Sequence, residues 1–491
     1  MDVDQFRTVS ILMKEIAYKR IETFKELVAS DPYRLHFHIM PPVGLLNDPN
    51  GFVFYKGQYH IFYQWNPMET AHGAKFWGHY ISDDLVHWQM APIALAPDQW
   101  YDKNGCYSGS AVVHDDTLYL FYTGNVINED GKRESYQCLA ISNDGIHFEK
   151  KGPIIHVPEG YTAHFRDPKV FYKNNQWYMV IGAQTEDLKG EAVLFTSRNL
   201  FDWDFQGPLT GNGHNGLDDF GYMWECPDLF ELNDKDILIV CPQGLETDGF
   251  KFNNIYQSGY FAGTIDYDKF TFEHGEFDEL DRGFDFYAPQ TTQDDKGRRI
   301  LFGWMGNAGE ETIQPTVKHE WIHALTIPRE LKWENNKLLQ IPVEELKSLR
   351  KEKVEHSNVV IDCEHIELSD INGHVFEMEV IVKEMCATVF SIQLGDSCKM
   401  TFNRKTNVFT FERESIKDHN KEQRHWVVET LKNIRIFKDT SSVEIFINDG
   451  EEVFTSRVFP KADDTAISFT ARDGRVQIDV KKWDLKRVFS Y

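Results

Sequence analysis

The chain has 491 residues, a formal net charge of −25, and aromatic side chains at 14% of positions. That length exceeds one ordinary core, so two domains are expected, with room for an appendage. The negative balance argues against nucleic acid and anionic membrane surfaces as partners, and no run approaches the roughly 18 apolar residues of a membrane span.

Seven cysteines, an odd number without a close CxxC pair, make neither a disulfide framework nor a zinc site. Cys106, Cys138, Cys226 and Cys241 sit in or beside apolar runs and read as reduced packing residues. The opening Met1-Asp2-Val3-Asp4-Gln5 lacks the basic stretch and apolar core of a signal peptide, which points to a cytoplasmic protein.

Residues 5–30 place Phe6, Val9, Leu12, Met13, Ile16, Ile21, Phe24 and Leu27 at near-helical spacing, and Asp31-Pro32 stops the run. One amphipathic helix packed on the main body is expected, with a homodimer contact as its second use. After His36-Phe37-His38 the pattern becomes alternation, and an internal repeat emerges. Taking Tyr59, Leu118, Trp177, Ile237 and Ile300 as markers of one strand type, the spacings are 59, 59, 60 and 63. A second marker follows three of these strands, at 82–88, 142–148 and 197–203: Ser, two residues, then an apolar pair around an aromatic close. Five equal units of several short strands predict an all-β, five-bladed β-propeller.

The repeat ends near Ile341. Residues 343–355 are charged and read as a linker, and the alternating runs beyond them predict a β-sandwich. The expected plan is therefore a helical extension over 1–35, a propeller over 36–342, a linker over 343–355 and a sandwich over 356–491.

Asp48 lies in Leu46-Asn47-Asp48-Pro49-Asn50-Gly51, a stiff, turn-rich segment. Alone it reads as an Asx-turn opening a hairpin. The repeat adds partners: Asp48 precedes its marker by 11 residues, Asp167 by 10 and Glu225 by 12, and each is near a proline. Equivalent positions on inner propeller strands converge on the central channel, so three carboxylates would face one another there. Crowded charges in a low dielectric raise at least one pKa, which makes a general acid near neutrality. Two carboxylates flanking a scissile bond describe glycoside hydrolysis. Gln64, Trp65, Asn66, Trp77, Tyr107, Ser108 and Tyr287 are candidates for sugar contacts.

Here the residues resemble glycoside hydrolase family 32. The resemblance rests on Leu46-Asn47-Asp48-Pro49-Asn50-Gly51, Phe62-Tyr63-Gln64-Trp65-Asn66-Pro67, Trp77-Gly78-His79, Tyr107-Ser108-Gly109-Ser110, Arg166-Asp167-Pro168 and Trp224-Glu225-Cys226-Pro227-Asp228. It implies a propeller plus sandwich and retaining hydrolysis of β-fructofuranosides. It makes Asp48 the nucleophile, Glu225 the acid/base, and Asp167 the holder of fructosyl hydroxyls, with Arg166 as its neighbour. Asn47, Gln64, Tyr107 and Ser108 would line the fructose subsite, with no metal and no organic cofactor. His72 stands where many members carry Trp, and a polar group there suits a phosphorylated sugar. The expected small-molecule substrate is sucrose 6-phosphate or sucrose, against fructan hydrolysis or a non-catalytic sugar-binding propeller. Lys75, Lys103 and Arg282 are phosphate candidates that sequence does not place.

Overall fold

The computed structural model of the protein describes residues 3–309 and 313–489, with side chains from residue 9 onward. Five antiparallel sheets follow one another between Gly44 and Pro342. Their first strands are Gly44–Tyr55, Cys106–His114, Tyr161–Lys173, Met223–Leu232 and Tyr287–Gln293. These strands touch in cyclic order, and the fifth returns to the first, so the sheets are five blades around one channel. All five repeat markers lie on the second strand of a blade, and all are buried. The period is visible in sequence because that strand is covered on both faces by neighbouring blades and reads as a near-continuous apolar run.

The second marker is a turn with a shared hydrogen-bond plan. Asp84 accepts from the amides of Val86 and His87, Asp144 from those of Ile146 and His147, and Asn199 from those of Phe201 and Asp202. In each turn the next residue, Leu85, Gly145 or Leu200, has φ between 67° and 75°. A short latch closes the ring: Trp321–Ile322, which follows the second strand of blade five, pairs in parallel with Gly44 and Leu45 of blade one.

The first helix runs from Val3 to Ala29. Ala17 and Val28 are fully buried on it, and Met13, Ile21 and Phe24 pack beside them. Leu12, Ile16 and Leu27, expected on the packed face, are 54%, 46% and 40% exposed, because the buried stripe is narrower than the apolar one. Phe6 lies outside the side chains described. No described helix is long and apolar enough to cross a membrane.

Beyond the propeller, two six-stranded sheets pack face to face around a core that includes Phe376, Ile392, Phe411, Ile436 and Ile478. Residues 343–355, read from their charge as a linker, are a 3-10 helix at Glu344–Leu349 leading directly into the strand Arg350–Asp362. Leu346 and Leu349 are buried there. These two apolar anchors hold the segment, together with the ion pairs of Arg350 with Glu377 and of Glu345 with Arg298.

The sandwich meets the propeller through buried ion pairs. Arg329 reaches Glu444 at 2.6 Å and Asp281 at 3.2 Å, and His38 bridges Asp439 at 2.8 Å and Glu444 at 3.0 Å. Arg282, a phosphate candidate, belongs to this seam. It pairs with Asp278 and Glu452 and lies over the Trp426 ring at 3.5 Å, so no charge is left for a ligand.

Candidate active site

Each inner strand carries the same one-residue bulge. Pairing slips between Leu46 and Pro49, Tyr107 and Gly109, Arg166 and Lys169, Glu225 and Asp228, and Tyr287 and Gln290. A bulge re-aims side chains that would otherwise alternate between faces. Two consecutive residues per blade therefore face the channel. The first of each pair, Asn47, Tyr107, Arg166, Glu225 or Tyr287, lines a cavity of about 590 Å³. The second, Asp48, Ser108, Asp167, Cys226 or Ala288, sits one step deeper, and the residue after it is a proline in four blades and Gly109 in the other. Asp167, Cys226 and Ala288 take φ of 68°, 48° and 47°, a left-handed geometry that costs a non-glycine residue about 1 kcal/mol.

This register corrects the phase count. Counting from the markers made the three acids nearly equivalent. The prolines that follow, Pro49 and Pro168, put Asp48 level with Asp167, while the slips put Glu225 at the position of Arg166 and Cys226 at that of Asp167. The offset brings a guanidinium against the third acid. Arg166 donates to Glu225 Oε1 from Nε at 2.9 Å and from Nη2 at 2.6 Å. On the other oxygen, Oε2, Glu225 accepts from Tyr287 and from Gln243, each at 2.7 Å.

Asp48 is held from two sides. Asn47 donates to its Oδ1 at 3.0 Å and Ser108 to its Oδ2 at 2.5 Å, while Gln64 donates to Ser108. The Cys226 thiol lies between the aspartates, 3.8 Å from Asp48 and 3.5 Å from Asp167, and its amide donates to Asp167 at 2.9 Å. Cys226 packs against the apolar core, as expected, and is also part of the acid cluster.

The three carboxylates titrate differently. Burial pushes Asp48 above the ordinary aspartate value, with Glu225 adding to the rise against the hydrogen bonds of Ser108 and Asn47. Burial, together with the charges of Glu225 and Asp48, lifts Asp167 to about 7 despite Arg166. Glu225 is buried too, but Arg166 and the Tyr287 hydroxyl outweigh that penalty and hold it below the usual glutamate range. Of the three carboxyls, the two aspartates hold a proton more readily than Glu225.

The other expected residues divide. Tyr107, Arg166, Tyr287 and Lys75 line the cavity, and Lys75 is close enough to Asp48 to favour its charged form. His72 is at the exposed rim, edge-on to Trp304 at 6.3 Å between ring centres. Trp77 does not reach the cavity. Its ring is fully buried between blades one and two, and its indole N–H donates to the Tyr107 carbonyl at 3.1 Å. Trp65 is likewise a core residue, donating to the Val43 carbonyl at 2.7 Å. Asn66 braces the following loop through the Ala71 carbonyl at 2.8 Å. Lys103 is exposed and is not among the lining residues.

Sequence reasoning missed Asn104, Asn125, Arg133, His164 and Trp304, all of which line the cavity. Trp304 had a signal, since it ends the fifth marker strand and pairs with Tyr287. Arg133 opens the third strand of blade two and His164 lies on the inner strand of blade three, two residues before Arg166, outside the segments that recur in sequence.

A five-bladed propeller with an acid trio at one mouth and a sandwich behind it defines a glycoside hydrolase. Residues 38–342 match the glycosyl hydrolases family 32 N-terminal domain and residues 345–485 the family 32 C-terminal region, and the chain belongs to that family. It is 54% identical to the sucrose-6-phosphate hydrolase of Bacillus subtilis (strain 168), over 96% of this chain and 98% of that one. The sucrose-6-phosphate hydrolase of Salmonella typhimurium is 45% identical over 88% and 90%. Among solved structures, sucrose-6-phosphate hydrolase from Lactobacillus gasseri superposes with a TM-score of 0.87 at 32% identity, covering 96% of this chain and 97% of that one. A Bombyx mori β-fructofuranosidase of family 32 gives 0.84 at 35%, covering 97% and 99%, and a variant of it has been solved with sucrose.

Proposed function

We propose that the chain is a retaining β-fructofuranosidase that hydrolyses sucrose 6-phosphate and sucrose, releasing fructose. The observation that carries this reading is the pairing of two carboxylates in opposed settings within one cavity. Asp48 is fixed by Asn47 and Ser108 with both oxygens committed to donors, as suits a nucleophile that must be aimed at one carbon. Glu225 faces the same space, with its charge held by Arg166 and Tyr287. In the first step Asp48 attacks the fructosyl anomeric carbon while Glu225 protonates the departing oxygen. In the second, Glu225 takes a proton from water, and that water releases fructose from Asp48. Glu225 must carry a proton when the first bond breaks, so a sugar in the cavity has to displace water and loosen the Arg166 grip. Asp167, deeper between the two, holds fructosyl hydroxyls.

The division of labour we infer gives the chemistry to residues 36–342 and leaves the sandwich to brace the propeller. All seven cysteines are unpaired, which favours a reducing compartment and so the cytoplasm. The test is fructose release from sucrose and from sucrose 6-phosphate. Release from either supports the hydrolase. Calorimetric binding of sucrose without release supports a non-catalytic sugar-binding propeller instead.

A further inference from the structure

The leaving group must sit beside Glu225, because Glu225 protonates the oxygen that departs. The wall of the cavity that holds Glu225 also carries Arg133, His164 and Arg166, in a chain whose net charge is −25. Arg166 is committed to Glu225, and its remaining nitrogen, Nη1, faces His164 Nδ1 at 3.0 Å. Arg133 stands close enough to His164 to disfavour a charge on that ring.

Arg133 is placed differently from the other arginines of the cavity and the seam. Its Nη1 donates to the neutral Asn125 amide oxygen at 2.6 Å, and its guanidinium lies 5.8 Å from the centre of the Tyr107 ring. No carboxylate lies within ion-pair distance of it among the described residues. The neighbouring acid is turned elsewhere: Glu134 accepts from Asn128 at 3.0 Å and from the Tyr136 hydroxyl at 2.7 Å. The hairpin carrying Arg133 is itself tied down, since Asn128 Oδ1 accepts from the amides of Asp130 and Lys132. A half-buried guanidinium is thus fixed in the sugar cavity with its fork unfilled by any acid.

We propose that Arg133, with His164 beside it, forms the subsite that reads a phosphate on the leaving-group sugar, so that the preferred leaving group is a hexose 6-phosphate. This rests on the hydrolase reading above and adds the residues that set its specificity. A planar guanidinium offers two parallel N–H donors to phosphate oxygens, a contact a neutral hydroxymethyl group cannot replace. His164 turns Nδ1 to Arg166, which leaves its Nε2 N–H as a further donor to the phosphate. Arg133 neighbours His164, which faces the Arg166 that grips Glu225, so the phosphate it reads is on the leaving-group sugar.

The experiment uses the full chain and reads competitive inhibition of sucrose hydrolysis by glucose, glucose 6-phosphate and fructose 6-phosphate, with direct calorimetric titration of glucose 6-phosphate alongside. Glucose 6-phosphate is expected to bind at least about tenfold more tightly than glucose, an advantage that added salt erodes. Arg133→Gln should remove at least about tenfold of that advantage while shifting glucose and fructose 6-phosphate much less, and Arg133→Lys should restore part of it. His164→Gln should give a smaller loss. Equal weakening of glucose and glucose 6-phosphate in Arg133→Gln would show that Arg133 only supports Tyr107 and Asn125, and would overturn the proposal. So would a wild-type chain that does not distinguish the two ligands, although sucrose hydrolysis would then still stand. Should sucrose not be hydrolysed at all, the titration alone decides whether the phosphate subsite exists.

Discussion

The mouth of the channel and the seam between propeller and sandwich both bury acids, and they treat them in opposite ways. At the seam, Glu444 has Arg329 and His38, and Asp439 has His38 and the amides of His36 and Phe37. Both carboxylates stay below their ordinary values although burial opposes it, whereas burial carries Asp281 and Glu279 upward. At the mouth, three acids share Arg166 and the nearby Lys75, and both aspartates rise. Burial is common to the two places. Compensation is what separates a set of charges that locks two domains from a set that is poised to move protons.

The comparison can be broken most decisively at Glu225. Glu225→Gln keeps the shape and hydrogen-bond capacity of the site but removes the proton carrier, so kcat for sucrose should fall by about two to four orders of magnitude. Its melting temperature should fall as well, because Gln leaves the Arg166 guanidinium without the carboxylate it pairs with. Turnover near wild type would take Glu225 out of the chemistry.

The converse test is Arg329→Met, which strands Glu444 and Asp281 without their cation. That should cost about 3–5 kcal/mol in denaturant unfolding, while kcat per folded molecule stays near wild type. Lost turnover in a fully folded variant would mean that the seam reaches the chemistry.

Asp167 sharpens the contrast through pH. The folded chain keeps the Asp167 proton up to about pH 7, whereas the unfolded carboxyl loses it near its ordinary value of about 4. The folded state therefore binds more protons across that window, and its stability falls as pH rises through it. Asp167→Asn should raise the melting temperature at pH 8 and change it little at pH 4, with turnover reduced at both. A gain of equal size at both pH values would show that the carboxylate is not the strained group.

The smallest effect belongs to Trp77. Trp77→Phe removes the bond to the Tyr107 carbonyl inside a packed core, which should lower the melting temperature by about 2–4 °C and raise KM less than fivefold. A collapse of kcat would return Trp77 to the substrate.

Much of this was legible before any coordinates, for reasons that can be named. The blades showed themselves because each second strand is buried on both faces, and because three blades reuse one turn with a left-handed residue at its centre. Asp48 and Asp167 showed themselves through their prolines. Glu225 was found at a phase one residue out, since distance to a marker strand cannot register a bulge whereas Pro227 can. Arg282 was misread because a lone arginine in a sequence does not announce the two acids, Asp278 and Glu452, that the fold brings to it. Arg133 and Asn125 were missed because they sit on strand ends that lie beyond the segments recurring from blade to blade. Trp77 belongs to a motif of the family and serves it from behind, by fixing the backbone of a residue that does touch the cavity.

The bulge on each inner strand has a consequence for how such a protein can change. Every blade delivers two neighbouring side chains to the same space, and the strand on either side is held by pairing and packing that do not depend on what those two residues are. Across the five blades the occupants already range from Asp and Glu to Arg, Tyr, Ser, Cys and Ala. The molecule therefore separates its vocabulary from its grammar: a new substrate, or a new reaction, can be written by replacing single occupants while the sentence that holds them is left as it is.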